Sequence, residues 1–158
     1  MTADQALRAQ LADFLDWGQA HVRFDDAVKG IPPTLRGAVP GGFAHSVWQV
    51  ADHMRIAQHD ILDFCINPSY KEMQWPDDYW PKLAAPAEGE WDRSLSAYRR
   101  DLAAVQSLVQ DAKTDLLATI PHGSGQTYLR EVLLVADHAA YHVGQIVLVR
   151  RLLGNWKD

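Results

Sequence analysis

The densest concentration of reactive groups in the chain is Asp137-His138-Ala139-Ala140-Tyr141-His142-Val143-Gly144-Gln145. Two imidazoles stand four residues apart in a long apolar segment. On a helix, positions i and i+4 share a face, one turn apart. Two imidazoles so placed can grip one divalent ion, or else they impose two polar groups on a surface that wants to be dry. At about 100° per residue, His138 and His142 fall within about 40° of each other, with Gln145 and Glu131 close in angle. Leu134, Val135 and Val149 make up the rest of that arc. Burying such groups unpaired would cost a few kcal/mol each. A metal, a hydrogen-bond network or a wet cleft would each satisfy them, and the pair alone does not choose among these.

A metal needs at least a third ligand. The best candidate is His53, at the flank of an apolar stripe on an earlier segment, roughly 100° from the stripe's centre. It would point along a helix–helix seam. Three neutral imidazoles leave coordination positions open, the arrangement of catalytic and not structural metal sites. Imidazole suits Zn, Ni, Cu and Fe alike. Gln145 or Glu131 could orient a ligand histidine through its second nitrogen. Glu131 could also act as a general base, although it lies two turns from His138. His21 and His122 read as solvated or capping residues. The same wheel puts His45 and His59 on the far side of their helix from its apolar stripe, as surface side chains. Asp52, Asp60 and Asp137 read as solvated or salt-bridged. Cys65, between Phe64 and Ile66, reads as a small buried hydrophobe.

Four stretches of helical periodicity must carry these groups. The first runs from about Thr2 to Val28, capped by Thr2 or Asp4, with Leu7, Leu11, Phe14, Leu15 and Trp17 at helical spacing. Gly30-Ile31-Pro32-Pro33 ends it. The second spans about Ala44 to Ile66, with a stripe of Val47, Val50, Ala51, Met54, Ala57, Ile61, Phe64 and Cys65. Asn67-Pro68 stops it. A loop rich in Pro, Trp and Tyr follows to Gly89 and includes Trp75-Pro76-Asp77-Asp78-Tyr79-Trp80-Pro81. Its prolines exclude a regular helix or central strand. Folded over the open end of the bundle, its aromatics could wall a pocket or simply plug that end. The third helix is expected over about Glu90–Lys113. The fourth runs from Thr127 to about Leu153, with Gly154 as C-cap. The fourth is apolar all round, which predicts a central, buried helix. There is no run of β alternation and no internal repeat. Four amphipathic helices of roughly 23 to 27 residues predict an all-α protein, a four-helix bundle in a single domain over 1–158.

At 158 residues, 47% hydrophobic and 22% charged, the chain has an ordinary globular composition. Its formal charge of −5 argues against nucleic acid as a partner. A single cysteine excludes an intrachain disulfide and fits a reducing compartment. The N-terminus lacks the basic start and apolar core of a signal peptide. No window suggests a membrane span of ~18 uncharged apolar residues. A cytoplasmic location is the expectation.

Taken in order, His45-Ser46-Val47-Trp48-Gln49-Val50-Ala51-Asp52-His53, the Asp137–Gln145 segment and Arg150-Arg151-Leu152-Leu153-Gly154 resemble the DinB/YfiT-like family of small bacterial proteins. The specific part is one His in the second helix, then His-x3-His-x2-Gln in the last. The resemblance implies up-down-down-up connectivity and a divalent metal, zinc or nickel first, held by His53, His138 and His142. It also implies a homodimer. Characterised members include transferases and isomerases that use low-molecular-weight thiols such as bacillithiol or mycothiol. The expected function is therefore a metal-dependent enzyme that activates water or a thiol toward a small-molecule substrate, by transfer, isomerisation or hydrolysis. The competing expectation is a non-catalytic bundle that binds a small ligand or partner and keeps a vestigial or structural site.

Overall fold

The computed structural model describes residues 1–16 and 20–157. Among these the chain is all-helical, without named strands: α1 (Ala3–Leu15), α2 (Phe24–Val28), α3 (Pro33–Arg36), α4 (Val47–Ile66), α5 (Glu90–Gln110) and α6 (Tyr128–Leu152). One isolated bridge joins Thr119 to Thr127. α4 packs against α5 and α6, and α1 packs against the same two helices.

The helix starts follow local chemistry. Thr2 caps α1 in a reciprocal box with Gln5, and Ser46 does the same for α4 with Gln49. Thr127 caps α6 through Arg130 N–H without a box. α6 closes with Gly154 left-handed at φ 68°. Gly154 N–H donates to Arg151 C=O at 3.0 Å and Asn155 N–H to Arg150 C=O at 2.8 Å, the paired bonds of a Schellman end.

Three expectations fail. The continuous first helix over 2–28 is broken: α1 stops at Leu15, and α2 begins only after Arg23, which is extended at ψ 157°. Gly18, the weakest helix former of that run, follows close behind the stop. Trp17 lies outside the described residues. Secondly, α6 is not buried all round. Leu133, Tyr141, Leu148 and Leu152 are exposed along one side, because the helix has neighbours only on its other side. Thirdly, α6 is long and apolar enough to cross a membrane by length and composition, with a window of mean hydropathy 1.5. Here it packs on α1, α2 and α4 and buries Glu131, His142 and Arg150.

The core falls into two clusters. One gathers Val47, Val50, Ala51 and Met54 of α4, Trp91, Leu95 and Tyr98 of α5, and Val143, Ile146 and Val149 of α6, with Phe24 and Val28. The other joins Leu11, Leu62, Val105, Val109, Val132 and Val135. On α4 and α6 the interval between the two clusters carries polar residues, among them Gln58, His138 and His142. Gln58 satisfies its amide N–H on Tyr98 C=O at 2.7 Å. The polar interruption of the core is where a site can sit without exposing apolar surface.

The loop after α4 is pinned to that helix. Ser46 Oγ–H donates to Ala84 C=O, and Gln49 Nε2–H donates to Pro81 C=O at 3.2 Å. Gly37, just after α3, permits the close approach of the same loop, since a Cβ there would stand 2.4 Å from Ala85 Cβ.

Candidate metal centre

α4 presents His53, and α6 presents His138 and His142 one turn apart. Their ligand-capable atoms all lie within 4.8 Å of one another. His138 Nε2 stands 3.0 Å from His53 Nε2. Nitrogens around one tetrahedral ion at ~2.1 Å are about 3.4 Å apart, a spacing bracketed by the cluster's 3.0 Å pair and its 4.8 Å outer limit.

Two of the second nitrogens are already engaged. His53 Nδ1 is 2.8 Å from the Tyr79 carbonyl oxygen, and His142 Nδ1 is 2.8 Å from Gln145 Oε1. A carbonyl oxygen only accepts, so each Nδ1 must carry the proton, which leaves Nε2 with its lone pair. Hydrogen bonds on the far nitrogen fix the tautomer and aim of a ligand histidine. The rings are also uncharged near neutrality. Burial pushes His53 down to about 4 and His138 down to about 3, and the neighbouring imidazoles push in the same direction. Burial lowers His142 as well, partly offset by Gln145. Three neutral imidazoles, two of them oriented by outer hydrogen bonds, make a donor set that suits a borderline divalent ion.

The Pro- and Trp-rich loop supplies the other wall. Trp80 stacks on His53 with centroids 3.8 Å apart and planes within 3°, and on His45 at 4.0 Å and 13°. Trp75 meets His53 edge-on at 6.4 Å. With Tyr79, Tyr141, Leu134, Ile61 and the three histidines they line an open cavity of about 590 Å³. Of the two roles open to the loop's aromatics, they take that of a pocket wall. Asp60 anchors this wall: it accepts from Tyr79 OH at 2.6 Å and from Tyr70 OH at 2.9 Å.

The structure brings together four of the five residues expected at the site: His53, His138, His142 and Gln145. Glu131 is set apart. It shares the angular sector of His138, but seven residues is ~10 Å along a helix axis. It is buried, binds Arg130 at 2.6 Å and lines a neighbouring cavity of about 560 Å³ with Tyr70, His122 and Gln126. Asp60, Ile61, Tyr79 and Leu134 line both cavities. Asp52 is ion-paired with Arg55 and accepts from Ser94, as expected of a structural carboxylate. Asp137 is exposed. His21 lies against the Val22 carbonyl, His122 against that of Phe64, and His59 against Asp101. Cys65 is buried, and its thiol is pushed up to about 12 by desolvation, so it stays protonated.

His45 corrects the surface reading. It lies in the cavity wall, half-buried against Trp80. The helical wheel does not apply to it, because the chain at Ser46 is still extended and α4 begins at Val47. The pattern Ser46-x-x-Gln49 carried that signal. No sequence signal marks the Tyr79 carbonyl, since every residue has one.

The family model of the DinB superfamily matches residues 16–146 of the chain, a span that includes all three histidines and Gln145. No curated protein and no solved structure gives a significant match.

Proposed function

Because the chain belongs to the DinB superfamily, we propose that it is a metal-dependent enzyme in which His53, His138 and His142 hold one divalent transition ion, zinc or nickel. The observation that carries this reading is the convergence of three neutral imidazoles from two helices, two of them pre-oriented by outer hydrogen bonds. An ion held by three imidazoles supplies Lewis acidity and keeps positions open for a water or a thiol. The protein's own groups do the rest. Tyr79 C=O and Gln145 keep two ligand rings in their tautomers. Trp75, Trp80 and Tyr141 offer flat apolar walls to a small substrate. A low-molecular-weight thiol is the co-substrate this reading puts first, in a cytoplasmic protein.

The scaffold we infer is a four-helix bundle made of α1, α4, α5 and α6, running up-down-down-up. The order in which the helices meet the two core clusters supports it. α4 and α5 both pass from the Trp91 cluster to the Val109 cluster, whereas α6 passes the other way. The exposed apolar side of α6 is the surface we assign to a homodimer.

Metal analysis of the purified protein tests the central claim. A bound transition ion that is lost in both His53→Ala and His142→Ala is the expected outcome. An ion at a hundred times its Kd should stabilise the fold by about 2.7 kcal/mol. Metal-free protein that gains no stability from Zn²⁺ or Ni²⁺ would leave a non-catalytic ligand-binding bundle instead. Transfer assays with low-molecular-weight thiols then test the co-substrate.

A further inference from the structure

His45 is the imidazole of this chamber that the ligand set does not use. Its ring is held by stacking on Trp80, which also stacks on His53. Its Nδ1 is enclosed without a hydrogen-bond partner, and Nε2 makes no hydrogen bond among the described residues. A neutral imidazole carries one N–H. Enclosed orphan N–H groups are rarer in proteins than under-satisfied acceptors, so the proton belongs on Nε2. Burial lowers the pKa of His45, which keeps the ring neutral. The ring is also near enough to His53 and His142 to bear on their charge. A fixed donor in a partly dry chamber is the device that stabilises negative charge on a bound group. The apolar walls of Trp75, Trp80, Tyr141 and Leu134 suit a compact ligand with little polar surface beyond one charged atom.

We propose that His45 Nε2–H donates a hydrogen bond to the anionic atom of a small ligand bound in this chamber, and so selects anionic over neutral ligands. The proposal rests on the metal reading above, and the experiment separates the two. The protein is loaded with Co²⁺, its visible absorption is followed, and azide is titrated as the anion. In His45→Phe, which keeps a ring to stack on Trp80, azide affinity should fall about tenfold, the ~1.4 kcal/mol of one hydrogen bond to a charged group. Cobalt affinity should stay within about twofold of the unmodified protein, since His45 is not a ligand.

Geometry supplies the second arm. A Gln amide nitrogen reaches the position of imidazole Nε2, whereas an Asn amide nitrogen reaches only that of Nδ1. His45→Gln should therefore recover azide binding and His45→Asn should not. Azide binding unchanged in His45→Phe, equal behaviour of Gln and Asn, or a cobalt protein that takes up no azide would overturn the proposal alone. Failure of the unmodified protein to bind cobalt would overturn the metal reading, and this proposal with it.

Discussion

Two hydrogen bonds decide what His53 and His142 can be. With Nδ1–H committed to Tyr79 C=O and Gln145 Oε1, both rings face their cavity as bases. Replacing Gln145 by Leu removes one acceptor but no ligand. Metal affinity, measured by calorimetric titration, should drop about 10- to 100-fold with the fold intact; an unchanged affinity would mean that Gln145 is idle. The same burial sets a pH dependence. The folded pKa values of about 4 for His53 and about 3 for His138 lie below the ordinary 6.5. Between those limits the unfolded chain binds protons that the folded chain does not, so stability rises with pH there. Metal-free protein should lose stability in urea as pH falls from about 6.5 toward 4, with little further gain from these groups above 7. A His53→Gln, His138→Gln double variant should flatten that slope. At this scale the sequence was readable where chemistry is written in spacing. His138 and His142 announce themselves by a four-residue step, whereas the flank of a stripe only suggests His53 and the family resemblance is what selects it. His45 did not, because its position depends on where a helix starts and not on which way a helix faces.

Among the elements, α4 and the loop that follows it act together. α4 carries one of the three clustered histidines, and the loop returns to touch α4 at Ser46, Gln49, His53 and Asp60. Asp60 is the anchor farthest along the helix, two turns beyond His53. Asp60→Ala releases the hydroxyls of Tyr70 and Tyr79 together. Amide hydrogen exchange over residues 70–81 should then accelerate while the amides in the middle of α4 and α6 keep their protection. Equal acceleration throughout would mean that the loop is part of the global folding unit. The helices themselves were legible from periodicity, since α4, α5 and α6 begin within about three residues of their expected starts. The break after Leu15 was not, because apolar spacing continues across it to Trp17 while helix propensity fails at Gly18. The exposed side of α6 was hidden for the opposite reason: apolar residues all round the helix give no angular signal of which side is covered.

Across the whole molecule, two buried guanidinium groups tie the chain's outer segments to its centre. Arg8 on α1 donates to the carbonyls of Val109, Asp111 and Thr114. Arg150 on α6 donates to Ala27 C=O at 2.6 Å and to the backbone and side-chain oxygens of Asn155. Arg150→Met keeps much of the volume but leaves those carbonyls unpaired, a cost of about 2–3 kcal/mol. The urea midpoint should fall accordingly while the three histidines still bind metal; loss of both together would mean that Arg150 supports the site directly. Overall architecture was legible because four long periodic segments have few ways to bury their stripes, whereas the split of the core into two clusters is a property of packing that a one-dimensional pattern does not contain. The Tyr79 carbonyl has a consequence of its own. It steers the His53 ring with an atom common to every amino acid, so the side chains around it are free to vary as long as the main chain keeps its path. Chemistry and appetite are thereby written in different parts of the polypeptide: the helices fix what the centre can do, and new rim sequences between Trp75 and Pro81 could redirect what it accepts without rebuilding the helices.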